Sequence, residues 1–421
     1  MKSKIALCIV IVAVFVGVAL TLFLTFAGQG SIANEQNQTR PFLHDAALVP
    51  ELMVGGLEFP TSMVFLDDNN ILVLQKNDGQ VRLVSDGKLL DEPVLQIDVA
   101  NEAERGLLGI AISEDGNTTS VFLYLTEKDN ELRNRVYRYD WDGRILDNKT
   151  LILDLPGEPG PFHDGGKIAI GPRDGHLYAI IGDVNAGGGM LDNQIPGRPL
   201  DDKSVVFRVH RDTGMPVQDN PFYNYSGDME KLQRYYAYGI RNSFGLDFDP
   251  LTGKLWMTEN GPDQYDEINV VEPGFNSGWH KVVGPISRTN ATLDDLVAFN
   301  GSRYRDPVFS WHIPIGVTDI EFFNSSKFGA KYENNIFVGD INNGNLYFFK
   351  VNEERGGLVL ESSGLADLVA DPVGDDILGE ASSVLIGERF GRITDIETGP
   401  DGNLYVLTYL DGKIYRITSK E

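Results

Sequence analysis

Cysteine is all but missing from these 421 residues, and the one present, Cys8, lies inside an apolar N-terminal run. No internal disulfide can form, and a thiol nucleophile or a zinc–cysteine cluster is excluded. Positive charge is also scarce: 36 Lys and Arg stand against 61 Asp and Glu, a formal charge of -25. Such a surface repels a phosphate backbone, so nucleic acid is not an expected partner. Extended polar tracts are few, and with 42% hydrophobic residues the chain has ample material for a large core, which excludes disorder for most of it. What is abundant is turn and aromatic chemistry, with 46 Gly, 20 Pro, 22 Phe and 16 Tyr. That balance suits many short strands joined by tight turns, and the expected class is all-β.

The segment from Ile5 to Ala27 carries no charge. At about 1.5 Å per residue it is long enough to cross a bilayer core of about 30 Å. Lys2 and Lys4 precede it, which predicts a cytoplasmic N-terminus and an exterior location for everything after Gly28. Residues 1–28 are therefore read as a transmembrane anchor, giving a single-pass protein of the cell membrane whose folded part is extracellular. A cleaved signal peptide is the alternative. Residues 29–47 open with the polar stretch QGSIANEQNQTR and read as a flexible stalk, leaving 48–421 as the folded domain. Asn37, Asn117, Asn148, Asn224, Asn290, Asn300 and Asn324 each begin an N-x-[ST] sequon, as expected of an exported glycoprotein.

From there the chain repeats itself. An apolar strand, a turn and a second strand recur as Ile71 to Leu74 with Val81 to Val84, Val121 to Leu125 with Val136 to Tyr139, and Leu177 to Ile181 with Val205 to Val209. Leu255 to Thr258 with Ile268 to Val271, Ile336 to Val338 with Leu346 to Phe349, and Leu404 to Leu407 with Ile414 to Ile417 make six. GPRDGHLY, DPLTGKLW and GPDGNLY carry the same turn chemistry, with Gly supplying the positive φ of a tight hairpin. Radial repetition of small sheets leaves only short, protected edges, so six units predict a six-bladed β-propeller.

Three segments concentrate chemistry. The first, Phe162 to Lys167, reads FHDGGK, in which His163 is the side chain best suited to take a proton near neutral pH and the glycines permit close backbone approach. Its bland alternative is a structural or solvated histidine. In the second, Tyr238 to Leu246, the Arg241-Asn242 pair between aromatics and glycines can donate several hydrogen bonds to a planar, oxygen-rich ligand, or else cap strand carbonyls. The third, Thr258 to Asn269, packs carboxylates, an amide and Gly-Pro carbonyls densely enough to suit Ca²⁺, or to form an acidic surface turn.

Taken in this order, with Gly274 to Trp279 (GFNSGW) after them and Glu104 to Ala111 (ERGLLGIA) before, the segments resemble the glucose/sorbosone dehydrogenases, the soluble pyrroloquinoline quinone (PQQ) dependent aldose sugar dehydrogenases. The resemblance implies a six-bladed propeller and a sugar or polyol substrate, with electrons leaving to a quinone or small redox protein. His163 then corresponds to the general base, and Arg241 and Asn242 to the groups that hold the quinone and stabilise its developing oxyanion. Asn260, Gly261 and Pro262, with the acidic pair Asp266 and Glu267, correspond to the site of a Ca²⁺ that grips and polarises PQQ. Trp311 lies where an aromatic wall is usual.

Departures from the pattern bear on the cofactor. Arg392 keeps one of two arginines that flank a single residue in well-known members, while Thr394 stands at the other. Asn342 falls at the place of a PQQ-binding lysine, and Glu104 replaces a glutamine near the base. PQQ is a tricarboxylate, and charge-assisted hydrogen bonds are worth roughly 1.5 to 3 kcal/mol each, so losing two cations weakens its hold unless another cation such as Lys167 or Arg389 substitutes. A propeller of the same ancestry that binds a glycan or protein without cofactor is the alternative. A metal-dependent lactonase is a third reading, and it leaves the HDGG and Arg-Asn elements without purpose.

Overall fold

The computed structural model describes residues 40 to 420, apart from 117, 186 and 187. The expected anchor over residues 1–28 lies outside the described residues, as does the stalk up to residue 39. No helix among the described residues is long and apolar enough to cross a membrane. The compact unit begins at Pro41 rather than Leu48, because Phe42–Leu43 already pairs with Leu385–Glu388.

The fold is an all-β propeller. Each of the six strand pairs read from the repeat lies in a different one of six sheets. In chain order the innermost strands of these sheets are Pro60–Phe65, Leu107–Asp115, Ile168–Ile170, Leu246–Phe248, Val317–Phe322 and Ile393–Thr398. Each contacts the next, and the last contacts the first, so the sheets close a ring around a central channel. The chain ends are joined within one sheet: Leu48–Val54 pairs antiparallel with Lys413–Ser419.

Burial explains why the repeat shows apolar runs rather than strict alternation. Leu177–Ile181 (LYAII) and Leu404–Thr408 (LYVLT) are buried at every position, since each middle strand has a neighbouring sheet on both faces. Every Val, Leu, Ile or Phe so covered contributes roughly 1.5 to 3 kcal/mol relative to exposure. The turns are as constrained as the strands. Gly79, in the Asp78-Gly79 hairpin, has φ 68°, and a Cβ there would lie 2.0 Å from the carbonyl oxygen of Ile97.

Towards the channel the inner strands carry carboxylates that tie one sheet to the next. Asp247 Oδ2 accepts the amide of Phe322 (2.7 Å), Asp319 Oδ2 that of Ile396 (2.9 Å), Glu321 Oε1 that of Thr398 (2.8 Å) and Asp395 Oδ2 that of Met63 (2.6 Å). Lys167 Nζ bridges Asp319 Oδ1 at 2.9 Å and Asp395 Oδ1 at 2.5 Å. These bonds run through the fourth, fifth, sixth and first sheets, and Lys167 reaches them from the start of the third.

Candidate active site

All six inner strands begin at the same mouth of the channel, where a cavity of about 220 Å³ opens. Thr61, Leu108, Gly166, Phe244, Thr318 and Thr394 bring one residue from each sheet to its wall, and Glu104 and Lys76 complete one side.

His163 stands on the loop that enters the third inner strand, with φ 65°. A non-glycine residue in that region costs of order 1 kcal/mol or more and persists only where its surroundings over-determine it. Here they do. Its amide donates to Glu104 Oε2 (2.7 Å), its carbonyl accepts from the Val184 amide (3.2 Å), and its ring Nδ1 lies 2.6 Å from Asp183 Oδ1. Asp183 is buried and also accepts the Asn185 amide (2.8 Å) and the Trp279 indole Nε1–H (3.0 Å). An ionised carboxylate can only accept, so Nδ1 carries the hydrogen, and in the neutral ring Nε2 is then the nitrogen with the lone pair.

Gly182 brings the two halves of the site together. A Cβ on it would lie 2.3 Å from the Arg241 carbonyl oxygen and 2.6 Å from that of His163, so the two backbones meet across a position that only glycine fits. The Asp183 amide then donates to the Arg241 carbonyl (2.9 Å). Arg241 itself donates through its amide to Glu259 Oε1 (2.8 Å) and through Nη1 to the Asn260 carbonyl (3.0 Å), and its guanidinium lies 5.5 Å from the Trp279 ring centre. Its Nε is buried with no hydrogen-bond partner among the described residues. Burial lowers its pKa, opposed by the charges of Asp183, Glu104, Glu259 and Asp266. A guanidinium remains a cation under that shift. Asn242 donates Nδ2 to Glu104 Oε2 (3.0 Å) and accepts the Gly165 amide (3.3 Å), so one oxygen of Glu104 holds both the His163 backbone and the Asn242 side chain.

The acidic segment closes the same mouth. Asn260 donates its amide to the Asn242 carbonyl and Nδ2 to the Val317 carbonyl, both at 2.8 Å. Asp266 is buried and fully engaged, Oδ1 accepting the Gly261 amide (3.0 Å) and Oδ2 the amides of Ile315 (2.9 Å) and Val317 (3.0 Å). Glu267 accepts the Gly284 amide (2.7 Å) and Asn269 Nδ2 (2.9 Å), and Glu259 accepts Ser277 Oγ (2.6 Å). Burial pushes Glu259 up to about 8, with the charge of Glu267 adding to the rise, and burial pushes Glu267 itself up to about 7. The carbonyl oxygens of Gly261 and Pro262 accept no hydrogen bond among the described residues. Nor do those residues contain three or more His, Cys, Asp or Glu grouped to hold a metal. A hard cation at this loop would therefore rest on main-chain oxygens, with Asp266 shaping the turn through its accepted amides.

The remaining expected residues divide. Thr394 lines the cavity and donates its hydroxyl to the Pro60 carbonyl (3.0 Å). Asn342 and Arg392 are exposed, outside the His163–Arg241 network. Lys167 borders the cavity, but its ammonium is already paired with Asp319 and Asp395. The aromatic wall expected at Trp311 is not there: Trp311 is buried between sheets against Phe309, Tyr347 and Phe349, because the strand Phe309–Trp311 is wholly covered. Sequence reading missed Asp183 as the partner of His163 and Glu259 as the anchor of Arg241. The available signal was an acidic residue ending a largely apolar strand, as in LYAII-G-D and LWMT-E.

Residues 57–416 match the family model described as Glucose / Sorbosone dehydrogenase. The chain is 26% identical over 366 residues to the aldose sugar dehydrogenase YliI of Escherichia coli, covering 85% of this chain and 89% of that one. It is 30% identical over 261 residues to quinoprotein glucose dehydrogenase B of Acinetobacter calcoaceticus, covering 56% and 52%. Among solved structures, a Thermus thermophilus oxidoreductase (glucose dehydrogenase) superposes with a TM-score of 0.67 at 29% identity, covering 88% of this chain and 99% of its own. The PQQ-bound aldose sugar dehydrogenase of Streptomyces coelicolor shares the fold, with a TM-score of 0.63 at 22% identity over 89% and 98%. The chain belongs to the glucose/sorbosone dehydrogenase family.

Proposed function

We propose that this chain is a PQQ- and Ca²⁺-dependent dehydrogenase that oxidises the anomeric or a related alcohol carbon of an aldose or polyol. The six sheets are read as the six blades of the propeller. The observation that carries the proposal is the pairing of His163 Nδ1 with Asp183, which leaves Nε2 as a base, on a backbone packed across Gly182 against that of Arg241.

The residues present fit the cofactor. The half-buried Arg241 guanidinium, with Nε unpartnered among the described residues, offers a donor to a quinone oxygen, and the two unengaged carbonyls of Gly261 and Pro262 are hard oxygen ligands. PQQ, when bound, supplies the hydride acceptor, and Ca²⁺ supplies the charge that polarises it. The chain's own part is to remove the hydroxyl proton onto His163 Nε2 while the hydride and its electron pair leave the same carbon, so that a hemiacetal ends as a lactone and an alcohol as a carbonyl compound. Asp183 then faces an imidazolium, which its buried carboxylate stabilises. Arg241, with Asn242 close by on Glu104, meets negative charge that develops on the acceptor. Electrons pass on to a quinone or a small redox protein.

Localisation at the outer cell surface is part of the proposal. Asn148, Asn224, Asn290, Asn300 and Asn324 are all exposed, as acceptor asparagines must be, while Asn37 and Asn117 lie outside the described residues. Purified protein given PQQ, Ca²⁺, a panel of sugars and a dye acceptor should turn over. No rate above that of a His163→Ala control would reject the reading.

A second reading has its own support. With Thr394 and Asn342 in place of cations and Lys167 paired, Lys76 is the one cavity-lining cation without a carboxylate partner among the described residues, its ammonium donating to the carbonyls of Ala103 and Arg105, and Glu104 adds an acid to the wall. This favours a propeller that has lost the cofactor and recognises a glycan or protein. Spectroscopic titration separates the two, since tight stoichiometric PQQ uptake is incompatible with the second.

A further inference from the structure

We infer that Trp279 is a positioning residue that locks the histidine base and the guanidinium to each other through Asp183. The inference rests on the reading of His163 as the base. Trp279 is buried, and its indole Nε1–H donates to Asp183 Oδ2 at 3.0 Å while Asp183 Oδ1 holds His163 Nδ1 at 2.6 Å. Its ring centre lies 5.5 Å from the Arg241 guanidinium carbon. Its amide donates to the Gly239 carbonyl (3.0 Å), two residues before Arg241, and its carbonyl accepts Asn193 Nδ2 (2.7 Å). The Asp183 amide donates to the Arg241 carbonyl (2.9 Å), which closes a circuit of contacts through Arg241, Trp279 and Asp183.

A buried indole needs no such partner in this chain. Trp256 and Trp311 both bury Nε1 with no hydrogen bond among the described residues. The bond of Trp279 is therefore more than the satisfaction of a stray donor. It fixes the one carboxylate that sets the tautomer of His163. Without it, Asp183 keeps the Asn185 amide on Oδ1 but nothing on Oδ2, so the carboxylate is free to rotate and His163 loses a fixed acceptor. The same ring presents its face to Arg241, an attraction that holds the guanidinium while Nε stays available.

The test uses Trp279→Phe, which keeps an aromatic face and removes the N–H, read first without cofactor. Nitrogen-15 NMR of the histidine rings should place the His163 hydrogen on Nδ1 in the wild type and show a mixture of tautomers in the variant. In turnover, kcat should fall on the order of 10-fold with sugar KM changed less than about twofold. Combined with Asp183→Asn, the substitution should add almost nothing to the loss from Asp183→Asn alone, since both act through one carboxylate. If Trp279→Phe fails to fold, benzothienylalanine installed at 279 keeps the shape of the indole with sulfur in place of N–H. An unchanged His163 tautomer in a folded variant, or additive effects with Asp183→Asn, overturns the inference. The tautomer readout needs no turnover. A wild type inactive on every sugar but with the NMR change would reject the proposed function and leave Trp279 its role.

Discussion

Two regions of the channel bury charge, and they treat it in opposite ways. At the hub, Lys167 faces Asp319 and Asp395, and the carboxylates of Asp247, Asp319, Glu321 and Asp395 each accept a backbone amide of the neighbouring sheet. At the mouth, His163 Nε2, Arg241 Nε and the Gly261 and Pro262 carbonyls have no hydrogen-bond partner among the described residues, although everything that positions them is bonded. Of these atoms Arg241 Nε is buried, and a buried polar atom without a partner costs about 1 to 3 kcal/mol. The hub spends its charge on joining sheets, and the mouth holds its own ready for a ligand.

If that contrast is right, substitutions in the two regions fail differently. His163→Ala should reduce kcat by about 10² to 10⁴-fold, the usual worth of a positioned general base, with the thermal midpoint little changed. Steady-state kinetics alongside calorimetry checks both halves. At the hub, Lys167→Met should leave Asp319 and Asp395 buried and uncompensated, and removing one partner of a buried pair costs about 3 to 5 kcal/mol. Urea unfolding should show that loss, and Asp319→Asn with Asp395→Asn in the same chain should recover part of it. A Lys167→Met protein as stable as wild type but unable to take up PQQ would move Lys167 from the hub to the mouth and break the contrast.

The repeat was legible because strand pairing and turn chemistry are local: six apolar pairs, several with Asp-Gly or Thr-Gly turns, mark six sheets one for one. The same holds for His163, Arg241, Asn242 and Asn260, whose unusual neighbours single them out. Asp183 and Glu259 were hidden because their meaning lies in contacts across the chain, 20 residues from His163 and 18 from Arg241. Trp311 misled for another reason. The aromatic wall was expected there from the family resemblance alone, and only the packing of Trp311 against Phe309, Tyr347 and Phe349 shows that it faces the core.

The hub should also be visible in the pH dependence of stability. Burial pushes Asp247 up to about 6 from its ordinary 3.8, and Glu321 and Glu397 are raised as well, by burial and then by their neighbours' charge. A carboxyl whose pKa is higher folded than unfolded prefers the folded state while protonated. Its contribution is complete below about 4 and is lost as the pH rises through about 6. Asp247→Asn carries no such proton, so its stability relative to wild type should climb across that window and level off above it. Thermal melts at half-unit steps from pH 4 to 7 measure the difference. A constant offset would mean that the hub carboxylates do not hold protons and that the two regions differ less than their bonding suggests.

The smallest expected effect is at the border between the regions. Glu104 Oε2 alone accepts both the His163 amide and Asn242 Nδ2, so in Glu104→Gln the amide oxygen can take over both bonds and only the charge is removed. The base and the Arg241-Asn242 pair should stay in place, with the melting temperature shifted by no more than a degree or two. The cavity wall would then present one less negative charge to a tricarboxylate. PQQ affinity should rise on the order of 10-fold, about 1.4 kcal/mol, when measured by absorbance titration in low salt, and the gain should shrink in high salt as screening grows. Tighter PQQ binding at both salt concentrations would point to a changed hydrogen bond rather than a removed charge. Weaker binding would mean that Glu104 holds the mouth open as well as holding His163, and would place it with the hub carboxylates as part of the frame.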